Sequence, residues 1–248
     1  MHKQEILFKG LEEITNRSLN VFRLFRILIA KNSTIRQSPR LLPYILSLSL
    51  GYLIGSFPTA YVLLKWNAQL DIRTAGSGNV GAMNAFDVTG SKWMGTTVMV
   101  LDMLKGAAAA GMCWILWKPN IEVVGVGSIA SVIGHDFPVW LKFKGGRGLS
   151  TSAGVMMVLG WIFVVVWCSL WAISYLGSKH IHGSNMIASL LSPLLILFVP
   201  KYWIEMTLPS FMSYSLILYL TIAICSLIML RHIDSVLTLW NSFTQQSL

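Results

Sequence analysis

Long apolar runs separated by short polar stretches dominate this chain. The first run, at 41–65, reads "LLPYILSLSLGYLIGSFPTAYVLLK" and predicts a membrane helix with a G-S-x-P break inside it. A polar loop follows at 66–92, then apolar segments at 93–117 and 121–141. A short basic loop, "LKFKGGRG", leads into one apolar stretch of 28 residues at 150–177, and segments at 184–200 and 211–230 complete the pattern. A hydrocarbon core of roughly 30 Å takes about 20 helical residues to cross, so several of these runs are long enough. The pattern lacks the period-2 alternation of a barrel, so helices must satisfy the backbone within lipid. The expectation is an all-α polytopic membrane protein of about seven transmembrane helices, some short or broken.

The topology turns on whether 150–177 crosses once or twice. Two crossings place Lys65, Arg73, Lys92, Lys142, Lys144, Arg147, Lys179 and Arg231 on one side, with Lys118 and Lys201 on the other. That asymmetry suits seven spans with a cytoplasmic C-terminus. A single crossing would separate the polar loop at 66–92 from Arg231 and His232. Against seven spans stands the N-terminal extension at 1–40, which carries eight basic and three acidic residues and would then lie outside. The extension reads either as a basic amphipathic helix on the membrane surface or as a disordered segment. The membrane domain itself is expected over 41–235, with a short polar tail at 236–248.

Composition agrees with the pattern. The chain is 54% hydrophobic and only 12% charged, about half the charged share of a soluble domain. Its formal net charge of +9 suits loops facing anionic lipid, an anionic substrate, or both. Nucleic acid is excluded as a partner because the cations are scattered among short loops. Cys113, Cys168 and Cys225 all lie in apolar runs and read as packing residues.

Polar chemistry concentrates in a few places. "GSGNVGAMN" at 76–84 contains G-x-G-x-x-G, but no strand–turn–helix surrounds it, so the dinucleotide reading fails. Its glycines can still turn successive N–H groups inward as an anion nest, with Ser77, Asn79 and Asn84 adding donors; a plain surface turn is the alternative. Asp102 and Lys105 lie three apart within an apolar run, and such groups pair with one another or face a wet cavity. "GHDFPVWLKFKGGRG" sets His135 at a membrane edge, followed by Lys142, Lys144, Gly145, Gly146 and Arg147, which suits phosphate or serves as a positive-inside anchor. His180 and His182 have no further metal ligand at suitable spacing.

"GSFPTAY", "DIRTAGSGNVGAMN", "DMLKG", "GHDFPVWLKFKGGRG" and "LRH" follow in this order, and together they resemble the PlsY family over about 41–235. That resemblance implies a seven-helix bacterial inner-membrane enzyme, multi-pass, with its site on the cytoplasmic face and no metal or nucleotide cofactor. It implies acyl transfer from acyl phosphate to glycerol 3-phosphate, giving lysophosphatidic acid and phosphate in phospholipid biosynthesis. A soluble phosphate acyltransferase supplying the donor is the implied partner, besides membrane lipids. By the resemblance, Gly76, Ser77, Gly78, Asn79, Gly81 and Asn84 hold the donor phosphate. Arg147, with Lys144 near it, holds the acceptor's phosphate. Lys105, His135, Gly145, Gly146 and Asn185 complete the substrate-binding set, and His232 and Ser235 stand at the remaining catalytic positions.

The chain departs from the family pattern at several of these places. Met83 replaces a threonine, Asp87 an arginine and Arg147 a lysine. Asn185 aligns with a binding serine, and Ser235 with an asparagine expected to hold the acceptor. A divergent enzyme acylating another acceptor, or a non-catalytic lipid-binding membrane protein, therefore stands beside the family reaction as an alternative.

Overall fold

The computed structural model describes residues 41–118, 120–208 and 212–246, with side chains as far as Ile233. The extension at 1–40 and the side chain of Ser235 lie outside the described residues. Among the described residues every regular element is helical: α1 (Leu41–Gly55), α2 (Thr59–Asn67), α3 (Ala82–Thr89), α4 (Lys92–Trp117), α5 (Ile121–Asp136), α6 (Leu149–Leu159), α7 (Ile162–Ser178), α8 (Ile181–Phe198), α9 (Lys201–Thr207) and α10 (Tyr214–Gln246). Among the described residues, five stretches are long and apolar enough to cross a membrane: 41–67, 92–117, 121–141, 181–198 and 214–233. Helices α6 and α7 are apolar but shorter.

The 28-residue apolar stretch therefore breaks, at Gly160. Arg147, just before α6, touches His182, at the start of α8, so the chain runs out along α6 and returns along α7. The polar loops consequently meet on one face. Val80 N–H donates to the Gly145 carbonyl at 3.4 Å, and Arg231 donates to the Gly146 carbonyl at 2.8 Å.

Lipid offers little hydrophobic drive for helix association, so close packing must hold the bundle together. Small residues provide it. Gly51 lies against the Gly127 carbonyl where α1 meets α5, and Ser47 Oγ donates to the Val123 carbonyl at 2.7 Å across the same interface. Helices α4 and α6 cross at Gly106 and Gly154, where a Cβ on either would run into the other helix's backbone. Away from the loops, Met156, Leu159, Ile217, Ile224 and Ile228 fill the core.

Two local features prepare the site. Proline cannot continue a helix through its missing N–H, so α1 stops before Pro58 and α2 begins after it. The Phe57 carbonyl freed at that break accepts from Lys105 Nζ at 2.9 Å. The loop after α2 is pinned by Ile72 and Val80, buried in a second apolar cluster with Leu64, Ala85, Val98 and Leu141. Asp71 starts that loop by accepting from the Arg73 backbone N–H, and the Arg73 side chain beside it holds its carboxyl down at about 2.

Candidate active site

A cavity of about 430 Å³ opens where the loops meet. At its polar end lie Asn79, Gly81, His135, Arg147, Asn185 and His232. Its other walls are apolar, with Met99, Met103, Val164, Trp167 and Trp171 from α4 and α7. The lining thus combines polar groups suited to anions and hydroxyls with an apolar surface suited to a hydrocarbon chain.

The glycine loop reaches this cavity differently from the sequence expectation. Gly76 and Gly78 adopt φ of 57° and 70°, which glycine alone takes up freely. The loop spends its N–H groups on itself: Ser77 N–H donates to Asn84 Oδ1 at 2.9 Å, Gly78 N–H to the Ala75 carbonyl at 3.0 Å, and Asn79 N–H to Ser77 Oγ at 3.4 Å. Asn84 is 2% exposed, and its Nδ2 donates to the carbonyls of Ala75 and Asn79 at 3.1 and 2.9 Å. Gly76, Ser77, Gly78 and Asn84 therefore shape the loop and do not line the cavity. What the loop presents is the Asn79 side chain and the N-terminus of α3, since Gly81, Ala82 and Met83 all line the cavity. The first N–H groups of a helix have no partners within it, so this terminus is itself an anion site.

The Gly-Gly turn is corrected in the same way. Gly145 and Gly146 were expected to offer backbone donors, but their N–H groups go to the carbonyls of Asp136 and His135 at 3.2 and 3.1 Å. Their own carbonyls accept from Arg231, whose guanidinium also lies 5.0 Å over the Phe137 ring. Lys144 is exposed and does not line the cavity. Lys105 stands behind it, bridging Asp102 Oδ1 at 2.8 Å and the Phe57 carbonyl, so it neutralises Asp102 and does not line the cavity. Asp102 and His135 do line the cavity, with His135 Nδ1 3.7 Å from Asp102 Oδ1.

At the opposite wall, His232 Nδ1 lies 2.8 Å from the Ile228 carbonyl, an acceptor, so that nitrogen carries the proton. Nε2 then accepts from Asn185 Nδ2 at 3.1 Å. This fixes the Asn185 amide and leaves its Oδ1 as the acceptor it can offer to a hydroxyl.

A family model for glycerol-3-phosphate acyltransferase matches residues 45–242. The chain belongs to that family. Over 146 residues it is 38% identical to glycerol-3-phosphate acyltransferase 2 of Thermotoga maritima, covering 59% of this chain and 74% of the relative. The Paramagnetospirillum magneticum glycerol-3-phosphate acyltransferase is 40% identical over 143 residues, 58% of this chain and 70% of that one. The crystal structure of PlsY (YgiH), an integral membrane glycerol 3-phosphate acyltransferase, in its glycerol 3-phosphate form superposes with a TM-score of 0.67 at 28% identity. It covers 80% of this chain and 92% of that one. The lysophosphatidic acid form gives 0.66 at 26% identity.

Three residues of this family member escaped the sequence reading. Arg231 entered it only as a topological charge, yet it clamps the Gly145–Gly146 turn. Asp136 is buried without a hydrogen-bond partner for either carboxylate oxygen. His182, weighed only as a metal ligand, lines the cavity against Arg147. Spacing could reveal none of these, because each depends on which loops meet. Among the described residues, His, Cys, Asp and Glu side chains form no metal-binding group.

Proposed function

We propose that this acyltransferase moves a fatty acyl group from acyl phosphate to the 1-hydroxyl of glycerol 3-phosphate. The observation that carries this reading is the cavity itself, with an anion-binding polar end and an apolar wall open to α4 and α7. The donor's phosphate sits at the α3 N-terminus beside Asn79, and its chain lies along Met99, Met103 and Trp167. Arg147 holds the acceptor's phosphate, and Asn185, oriented by His232, receives its hydroxyl. The acceptor oxygen bonds to the acyl carbon while the bond from that carbon to the phosphate oxygen breaks. The hydroxyl proton passes to the departing phosphate. His232 is not the base in this scheme, since Nδ1 is protonated and Nε2 is occupied by Asn185. An acyl phosphate is already activated, so alignment and charge stabilisation account for the protein's share of the chemistry.

The same reading counts α6 and α7 as the fourth and fifth of seven crossings. It sets the site on the cytoplasmic face of a bacterial inner membrane, supported by the cluster of Lys65, Lys92, Lys142, Lys144 and Arg231 there. A soluble enzyme that makes acyl phosphate from acyl carrier thioesters would deliver the donor to that face. The test is phosphate release from palmitoyl phosphate by the purified protein in detergent. Release that requires glycerol 3-phosphate and yields lysophosphatidic acid is expected. Release with neither dependence nor product would sink the reading.

A further inference from the structure

The apolar side of the catalytic cavity does not end at Trp167. A second cavity, of about 70 Å³, adjoins it among α6, α7 and α10. Ala153, Val164 and Trp167 line both, so they stand where the two join, while Ser152, Phe163 and Ile228 line only the smaller of the two. Phe163 and Ile228 belong to the buried core. No charged residue, among those described, lines this slot.

The mouth of the slot is held in place. Trp167 Nε1–H donates to Ser189 Oγ at 3.0 Å, and Ser189 is itself buried on α8. Helix α6 is pressed against α4 at Gly154, where no side chain intervenes, so Ala153 beside it is fixed as well. The chain runs out along α6 and returns along α7, so Phe163, in the first turn of α7, lies at the end farthest from the polar loops. The slot therefore leads away from the phosphate end of the catalytic cavity and stops at Phe163. A space lined this way favours hydrocarbon over water, since apolar cavities stay dry. On the scale at which an apolar cavity of about 150 Å³ accepts benzene, 70 Å³ has room for about three carbons.

We propose that this slot seats the methyl end of the donor's acyl chain, and that Ala153 at its mouth and Phe163 at its floor set the chain length the enzyme prefers. The inference rests on the reading of this protein as an acyl phosphate enzyme. A slot with a floor selects in both directions. A shorter chain leaves it empty, and a longer one must buckle or pull its phosphate away from the α3 N-terminus. A groove open to lipid would set no upper limit.

The test is the yield of each product when an equimolar series of saturated acyl phosphates, from lauroyl to behenoyl, competes for the purified protein in one detergent mixture with glycerol 3-phosphate. The wild type should show an optimum, with yield falling on its longer side. Ala153→Leu adds three carbons at the mouth, about as many as the slot holds, and should move the optimum about two carbons shorter. A methylene kept out of an apolar site loses about fourfold, so the product of the wild-type optimum should fall about tenfold relative to the lauroyl product. Turnover of lauroyl phosphate alone should stay within about 2-fold of wild type, since its chain is too short to use the slot. Phe163→Leu lowers the floor and should move the optimum about two carbons longer. If one variant fails to insert, the other decides together with the wild-type profile. An unshifted optimum in Ala153→Leu, an equal loss at every chain length, or a wild-type yield that levels off with length overturns the inference. If no acyl phosphate gives a product that depends on glycerol 3-phosphate, the acyl-transfer reading itself fails and the inference falls with it.

Discussion

Replacing Asn84 by alanine tests whether the glycine loop is a ligand or a scaffold. Asn84 accepts the Ser77 N–H at 2.9 Å, and its amide protons serve the carbonyls of Ile72, Ala75 and Asn79 at 3.3, 3.1 and 2.9 Å. Two amide protons and one accepted bond amount to three hydrogen bonds, each with a net contribution of about 0.5–1.5 kcal/mol. Gly76 and Ser77 are exposed, so water recovers part of the loss, and about 1.5–3 kcal/mol of loop ordering is the expected cost. A donor whose binding needs the ordered loop loses apparent affinity in proportion to the fraction remaining ordered. That predicts a roughly ten- to hundredfold fall in kcat/KM for acyl phosphate, with the glycerol 3-phosphate KM little changed. Hydrogen–deuterium exchange over 75–81 should accelerate in the free protein. Asn84→Asp keeps the acceptor for Ser77, loses the donors and should fall between. A raised donor KM with unchanged exchange at 75–81 would refute the scaffold argument, because Asn84 would then touch the donor itself.

Four further outcomes are expected. Asn79→Ala removes a charge-assisted donor worth about 1.5–3 kcal/mol, so donor kcat/KM should fall about ten- to hundredfold with normal membrane insertion; unchanged turnover would remove Asn79 from the site. Arg231→Ala releases the Gly145 and Gly146 carbonyls and with them Arg147, so the glycerol 3-phosphate KM should rise before the donor KM does. Gly154→Ala drives a methyl group into the Met103 carbonyl, and overpacking on the order of 1–3 kcal/mol should lower the Tm in detergent by several degrees. Asp87→Arg restores the arginine of the family pattern in place of a negative charge and should lower the glycerol 3-phosphate KM; no change would mean that Asp87 does not act on the acceptor.

The fold was legible because lipid leaves few options: long apolar runs must be helices, and their lengths mark the spans. Even the doubtful stretch at 150–177 carried its own signal, since Gly160 is where it breaks. The site was legible as a set of segments and less so as a set of contacts. Asn79, Gly81, His135, Arg147, Asn185 and His232 do converge on one cavity. Gly145 and Gly146 were misread because a glycine pair looks the same whether its N–H groups face a ligand or, as here, the carbonyls of His135 and Asp136. Lys105 shows a similar limit. Its spacing from Asp102 predicts a pair, but not that the pair turns its carboxylate to the cavity and its ammonium to Phe57. These are long-range facts, and a one-dimensional pattern holds only the local ones.

The glycines at 76–81 acquire a different meaning once the backbone is accounted for. A loop that spends its own N–H groups on internal bonds is rigid, and rigidity is what a helix-terminus anion site needs from the segment before it. Gly76 and Gly78 let the chain turn tightly enough for Asn84, itself on α3, to reach back and fasten the loop to its own helix. Val80 N–H then ties the loop to Gly145, and Arg231 ties Gly145 to α10. The α3 N-terminus is thereby fixed relative to Arg147, two residues along from Gly145. The proposed reaction joins a lipid-borne donor to a water-borne acceptor, which requires two phosphates held at a set separation, with neither able to drift along the membrane surface. The backbone contact between the two loops, from Val80 N–H to the Gly145 carbonyl, supplies that separation.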